Sequence, residues 1–371
     1  MSPAPLLSVV VPSHQGADIL PDTLAALRRS DLDVHRWELI VVDDASTDDT
    51  SLVAARYADT VLRLPGRPHG PAYARNRGFE VSRGDAVVFI DADVRVHPDT
   101  LRRFATVLER EPEISAVFGS YDAEPAAPGL VSQYRNLLHH YVHQQSAGEA
   151  ETFWAGCGAI RADVFRSVGM YDEWHFPAPQ IEDIELGRRL RLQGHRIVLR
   201  PEIQATHLKK WSLRNVLTTD FVSRGVPWTR LIIQEGPSAA GNTLNVQSAQ
   251  KWCTALVGLG AIGLIVSALG RSWWPLLATA ASAGAVLGIN FGFYQLLRRQ
   301  KGAWFALASL PLHLIYYVSA GLSAVIGWLA HTLFGAPTPP PDVAAFSEVG
   351  IETWPPIPSR PRQSIWNTHE G

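Results

Sequence analysis

The chain of 371 residues sets 33 Lys and Arg against 35 Asp and Glu, for a net charge of −2, and shows no basic stripe with interleaved aromatics, so nothing points to nucleic acid. Two cysteines, Cys157 and Cys253, argue against a disulfide framework and fit a reducing compartment. The composition shifts along the chain: charged and mixed up to about Gln250, apolar and poor in acid from Cys253 to Phe334, so the C-terminal third reads as membrane protein.

Met1 to Pro5 lack the basic start of a signal peptide and run straight into a strand pattern, so the N-terminal domain is expected to stay in the cytosol. Apolar, β-branched runs predict strands at 7–12, 38–42, 60–64, 86–90 and 114–118, with helices predicted at 22–29, 49–57, 72–81 and 99–110. This alternation predicts an α/β, Rossmann-like, mostly parallel sheet with helices on both faces. Ligands of such sheets bind beyond the carboxyl ends of the strands, and Ser13-His14, Asp43-Asp44-Ala45-Ser46 and Asp91-Ala92-Asp93 fall at those ends. No Gly-x-Gly-x-x-Gly follows the first strand, which excludes a dinucleotide fingerprint. Asp43-Asp44 suits the base or ribose of a single nucleotide, although Ser46 and Asp48 also suit helix capping. Asp91 and Asp93, on alternate residues after a buried strand, can hold Mg²⁺ or Mn²⁺ against a diphosphate; strand-end turns favour Asp as well.

Further on the pattern turns mixed. An amphipathic helix is predicted at 130–144; its His139, His140 and His143 lack an acidic or Cys partner and are read as solvent-facing. A strand-like stretch at 152–162 runs through Trp154-Ala155-Gly156-Cys157-Gly158. The helix predicted at 181–193 has Glu182, Asp183 and Glu185 in its first turn, where acids also favour the helix end. A short strand at 196–200 then leads to His207. Residues 1–211 thus read as one domain. The basic, aromatic segment 212–234 reads as an interfacial helix on anionic headgroups, and 235–250 as a linker. Residues 251–334 hold three apolar stretches, 253–270, 273–297 and 303–334, each reaching the roughly 18 residues a span needs and flanked by Trp252, Trp273, Trp274, Trp304 and Trp328. The basic loop 298–301 is expected on the cytosolic side, and the Pro-rich tail 335–371 to be unstructured.

These pieces, in this order, resemble the family-2 glycosyltransferases, inverting enzymes of the GT-A fold that use nucleotide-diphospho-sugars. The likeness rests on Val9 to His14, Val41 to Asp48, Ala72 to Gly78, Phe89 to Asp93, Gly156 to Arg161, Val168 to Glu173 and Glu182 to Gly187, and covers about residues 7 to 210. It implies a nucleotide site of Pro12, His14, Asp43, Asp44, Arg75 and Asp91, and a divalent cation (Mn²⁺ or Mg²⁺) on Asp93 and Asp91. His207 stands where related enzymes sometimes place a metal or diphosphate ligand. Single displacement at the anomeric carbon needs a carboxylate to take the acceptor's proton. Asp183 matches the aspartate of the family's Glu-Asp motif and is the expected base, with Glu182 as the fallback.

The resemblance therefore implies a multi-pass inner-membrane enzyme of cell-envelope glycan synthesis, its catalytic domain cytoplasmic, moving one sugar to a hydroxyl of a lipid-linked acceptor. Arg224-Gly225-Val226-Pro227-Trp228 lacks the Gln-x-x-Arg-Trp of the processive synthases, which argues for single-sugar transfer. A polyprenyl-phosphate sugar synthase is the alternative. A membrane-bound nucleotidyltransferase would want a Gly-rich basic loop after the first strand, and Pro12-Ser13-His14-Gln15-Gly16 is a poor version; a non-catalytic scaffold would not need Asp93 and Asp183. Sugar, base and oligomeric state stay open.

Overall fold

The computed structural model describes residues 6–236, 244, 247–338 and 352–353. In chain order come β1 (Leu7–Ser13), α1 (Leu20–Arg28), β2 (Trp37–Asp44), α2 (Thr50–Ala54), β3 (Thr60–Leu64), α3 (Pro71–Glu80), β4 (Ala86–Ile90), β5 (Val94–Val96), α4 (Thr100–Arg110) and β6 (Ile114–Tyr121). Every residue of β2, β4 and β6 is buried, as Val- and Ile-rich runs are when helices cover both faces of a sheet. Next come α5 (Leu130–Gln144), β7 (Gly148–Glu149), β8 (Cys157–Arg161), α6 (Ala162–Ser167), α7 (Glu182–Leu192) and β9 (Arg196–His207). The short strand predicted at 196–200 thus continues to His207.

Among the described residues one ten-stranded sheet results, in the order β10-β3-β2-β1-β4-β8-β6-β9-β5 with β7 on β9, where β10 is Glu352–Thr353. The block β3-β2-β1-β4 is parallel, whereas β8 runs antiparallel to both β4 and β6 and makes the second half mixed. Register explains how distant residues meet. Ser13 lies opposite Asp43, so β1 and β2 end together. Cys157 lies opposite Ile90, which lays the Trp154–Gly156 turn beside Asp91, whose N–H donates to Gly156 O at 3.3 Å. His207 pairs with Val94, one residue from Asp93.

The segment predicted as an interfacial helix is α8 (Leu213–Leu217), a π-helical turn (Thr218–Gly225) and α9 (Val226–Glu235). It does not lie alone. After α10 (Ser248–Gly270), α11 (Trp274–Ile289) and α12 (Phe291–Lys301), the 32-residue α13 (Ala303–Phe334) packs along it. A Cβ on Gly225 would stand 2.5 Å from the Ser323 Cβ, one on Gly327 would stand 2.6 Å from the Thr229 Cβ, and Arg230 donates to Gly335 O at 2.8 Å.

Two helices, α10 and α13, are long and apolar enough to cross a membrane; the pair α11 and α12 makes a third only if taken as one span bent by 62°. The single stretch expected at 273–297 is therefore broken at Asn290. Its amide donates to Val286 O (2.9 Å) and approaches Cys253 Sγ (3.3 Å), while its side-chain oxygen accepts from Tyr317 (2.9 Å). Beyond the break, α12 turns Phe293 and Leu297, both fully buried, toward α5, with Tyr141 at 5.3 Å and Tyr134 at 5.9 Å from the Phe293 ring. Burying Phe293 contributes about 2 kcal/mol to holding the C-terminal helices on the domain. In the C-terminal tail, β10 (Glu352–Thr353) pairs antiparallel with β3, a contact its Pro-rich composition does not signal; the remainder of 339–371 and most of the 235–250 linker lie outside the described residues.

Candidate active site

A cleft of about 890 Å³ opens at the carboxyl ends of β1, β2 and β4, within the size range of small-molecule sites. It gathers Pro12, His14, Asp44, Arg75, Asp91, Asp93, Glu182, Asp183 and His207 from elements up to about 195 residues apart in sequence. Asp43 is the exception. Its carboxylate accepts from Ser46 N–H at 3.0 Å and from the Ser51 hydroxyl, pinning the turn in which Ala45 takes φ 54°. That left-handed Ala costs on the order of 1 kcal/mol, which the Asp43 bonds offset.

On the nucleotide side, His14 Nδ1 donates to Asp44 O at 2.7 Å. The Asp44 carboxylate accepts from His69 N–H (2.9 Å), Gly70 N–H (2.7 Å) and the His69 ring (3.0 Å), so it anchors the loop before α3 as well as lining the cleft. Gly70 is required there: φ is 94°, and a Cβ would stand 2.4 Å from Pro177 O.

Arg75 sits at the centre, 4% exposed, with its guanidinium 5.4 Å over the Tyr171 ring. It donates to Asp91 at 2.8 Å and to Glu182 at 3.0 Å. Burial opposes its charge, but Asp91, Tyr171 and Glu182 outweigh burial and raise its pKa. The fork that the family pattern places near the nucleotide is thus occupied by two carboxylates. Glu182 is occupied as well, since its second oxygen accepts from Gln180 N–H at 2.9 Å. Asp183, next along α7, is half-buried on the cleft and accepts only from the adjacent Ile184 N–H (2.8 Å) among the described residues. Burial, then the neighbouring Glu182 charge, push its pKa up to about 7 against the pull of Arg224 and Arg75.

At the cleft floor, His207 Nε2 stands 3.5 Å from Asp93 Oδ2. Its Nδ1 donates to Asn136 Oδ1 at 2.6 Å, and its ring stacks on Tyr121 at 4.4 Å and 10°. Burial works to raise the Asp93 pKa, but the hydrogen bond and charge of His207 and the charge of Lys209 hold it below the ordinary value. Among the described residues no three His, Cys, Asp or Glu side chains form a ready metal cage. The donor set nevertheless fits a nucleotide-bound cation. Asn136 fixes the imidazole so that Nε2 faces Asp93, the orientation a second-shell partner gives a ligand, and such cations take one or two protein ligands plus phosphate oxygens. Asp91, turned onto Arg75, is not paired with them.

Residues 8–169 match the family model described as Glycosyl transferase family 2. They form a family 2 glycosyltransferase domain. The putative teichuronic acid biosynthesis glycosyltransferase TuaG of Bacillus subtilis strain 168 is 32% identical over 129 residues, 33% of this chain and 50% of that protein. Undecaprenyl-phosphate 4-deoxy-4-formamido-L-arabinose transferase of Pseudomonas syringae is 34% identical over 121 residues, 30% of this chain and 35% of that protein. The chain thus spans half or less of the length of these two curated relatives. The mannosyltransferase PcManGT of Pyrobaculum calidifontis, solved with GDP-Man and Mn²⁺, shares the fold with a TM-score of 0.53 at 19% identity, covering 87% of this chain and 88% of that one.

The family 2 match ends before α7, so Asp183, Glu182 and His207 lie beyond it and are placed by the fold alone. The same far wall holds cleft residues that the sequence reading did not single out as site residues: Trp154, Lys209, Trp211 and Arg224. Ser132 accepts from Trp211 N–H (2.8 Å) and donates to its carbonyl (3.1 Å), and Lys209 Nζ lies 4.4 Å over its ring. The run Lys209-Lys210-Trp211, which follows His207 after Leu208, is the sequence signal for part of this wall. The solvent-facing reading of the α5 histidines is corrected. His140 Nδ1 donates to Tyr121 O (2.7 Å) and His143 Nδ1 to Gly119 O (3.0 Å), serving carbonyls near the irregular pairing of β6 with β9. Burial pushes His143 down to about 4 and His139 well below its ordinary value, so both are neutral, and His139 lines the cleft.

Proposed function

We propose that this chain is a membrane-anchored, inverting glycosyltransferase that moves one sugar from a nucleotide-diphospho-sugar to a hydroxyl of a lipid-linked acceptor, with Asp183 as the base. The observation that carries it is the contrast within Glu182-Asp183: the first carboxylate is spent on Arg75 and Gln180, the second faces the cleft with its pKa pushed up to about 7. A base works best with a pKa near the working pH. Asp183 takes the proton of the acceptor hydroxyl as its oxygen bonds to the anomeric carbon. The bond from that carbon to the diphosphate breaks on the opposite face, which inverts the centre. Arg75 keeps Asp91 and Glu182 from adding two uncompensated charges beside the departing diphosphate.

Asp93 and His207 are the residues that would hold a divalent cation, and its chemistry there is to neutralise charge on the leaving diphosphate. The Mn²⁺ in the PcManGT complex supports that choice. The apolar exposure of α10, α11 and α13 supports a membrane anchor, and the basic end of α12 supports a cytosolic cleft and a multi-pass arrangement. The relative named for undecaprenyl phosphate supports a lipid-linked acceptor and keeps the polyprenyl-phosphate synthase as the second reading. Asp183→Asn is the test. It should bind the donor sugar nucleotide almost as the parent does, yet lose transfer by about 10² to 10⁴. Parallel loss of donor binding would make Asp183 structural and defeat the assignment.

A further inference from the structure

On the side of the apolar C-terminal helices, two cations of the cleft stand outside its ion pairs. Arg75 is matched by Asp91 and Glu182, and Arg135 is matched by Asp220 in a two-point pair at 3.0 and 2.5 Å. Asp44 is satisfied largely by backbone N–H groups. Arg224 and Lys209 remain: both line the cleft, and among the described residues neither makes an ion pair. Lys209 has only the Trp211 face, and Arg224 has no hydrogen bond at all among the described residues. Arg224 feels the Asp183 charge and Lys209 the Asp93 charge, but neither carboxylate lies within ion-pair distance, so both cations keep donors free for an anion.

Their position says which ligand. Arg224 belongs to the π-helical turn, which brings Thr219, Ser223 and Arg224 to the cleft together. π-Helical turns are uncommon and recur at functional sites. This one is seated on α13, where Gly225 leaves no room for a Cβ beside Ser323. The wall therefore belongs to the membrane helices and lies outside the segment 8–169 that matches the family domain.

We propose that Arg224 and Lys209 form an anion site for the acceptor, which therefore carries a phosphate group on its lipid close to the group that receives the sugar. This rests on the glycosyl-transfer reading above and adds the chemical class of the acceptor. Phosphate offers the oxygens that a guanidinium fork and an ammonium bind best. Anchoring it places the reacting group over Asp183 and gives a membrane-held substrate a fixed register.

The experiment uses the full-length protein in detergent micelles, with the donor site filled by UDP and Mn²⁺, and titrates farnesyl phosphate, farnesol and inorganic phosphate. Farnesyl phosphate should bind at least about 10-fold more tightly than either of the others. Arg224→Gln and Lys209→Gln should each weaken it by about 10-fold to 100-fold, the usual loss for a hydrogen bond to a charged group. Arg224→Lys should recover part of that loss. Binding of UDP with Mn²⁺ reports whether each variant is folded, and Lys209→Gln keeps the test alive if Arg224→Gln is not. Inorganic phosphate binding as tightly as the lipid would make this a free-phosphate site and overturn the acceptor role. Farnesyl phosphate that binds only when UDP is withheld would assign the cations to the donor diphosphate, and unchanged affinity in the folded variants would end the proposal. Turnover of a nucleotide sugar is measured alongside: its absence with the lipid titration intact refutes glycosyl transfer, not the anion site, and the converse refutes only the site.

Discussion

If Asp183 is the base, the pH dependence of transfer follows from its environment. An ordinary Asp, with a pKa near 3.8, is ionised throughout the physiological range; burial and the Glu182 charge move this one to about 7. The groups that face it are Glu182 and Asp91, which raise it, and Arg224 and Arg75, which lower it. The active form is the ionised one, so at pH 6 only about a tenth of the enzyme is competent, and at pH 8 about nine-tenths. Transfer measured as kcat/KM for the donor should thus fall about tenfold between pH 8 and pH 6, along a single acid limb. Arg224→Gln removes one of the two cations that favour the carboxylate and should move that limb to higher pH. The assay is nucleoside diphosphate release at subsaturating donor, with Mn²⁺ held constant. A profile flat from pH 8 to pH 5, or an acid limb that survives in the residual activity of Asp183→Asn, would refute the reasoning.

The same raised pKa costs stability. In the unfolded chain Asp183 ionises near 3.8 and in the folded chain near 7, so stability is lost as pH rises through that window, and Asp183→Asn should stabilise the protein more at pH 8 than at pH 4 in thermal unfolding. Asp93→Asn keeps the side-chain shape and removes the charge opposite His207; Mn²⁺-dependent donor hydrolysis should fall to background, and near-normal metal-dependent turnover would dismiss Asp93 as a ligand. Phe293→Ala empties the fully buried contact between α12 and α5 and should lower stability by about 3 to 5 kcal/mol in denaturant titration of the full chain. A loss below about 1 kcal/mol would mean that the C-terminal helices are not packed on the domain as described.

Much of the site is legible in the sequence because the fold class fixes where strands end. Val- and Ile-rich runs followed at once by Asp44, Asp91 or Asp93 can hardly place those acids anywhere but the ligand-binding rim. Asp43 shows the limit. Adjacent residues leave a strand toward opposite faces, so of two neighbouring aspartates one reaches the cleft and the other ties down the turn, and composition does not say which. Arg75 illustrates another limit, since its partners Asp91 and Glu182 lie 16 and 107 residues away and only tertiary structure shows the fork to be filled. His140 and His143 look solvent-facing because their partners are backbone carbonyls, which carry no sequence signature. The apolar stretch expected at 273–297 is bent at one residue: hydropathy averages over Asn290, but its side chain finds three partners where the helix turns. Arg224 is the hardest to foresee, because its route into the cleft depends on a π-helical turn seated on α13, about 100 residues further along the chain.

The account's central claim is inverting transfer from a nucleotide sugar, and the configuration of the product tests it most directly. Full-length protein in lipid nanodiscs, given a donor it turns over and an acceptor, is followed by proton NMR at the anomeric signal while the released nucleotide is identified. The account predicts one nucleoside diphosphate per sugar transferred and a product whose anomeric configuration is opposite to that of the donor. Retention of configuration, or release of pyrophosphate in place of the nucleoside diphosphate, would contradict it.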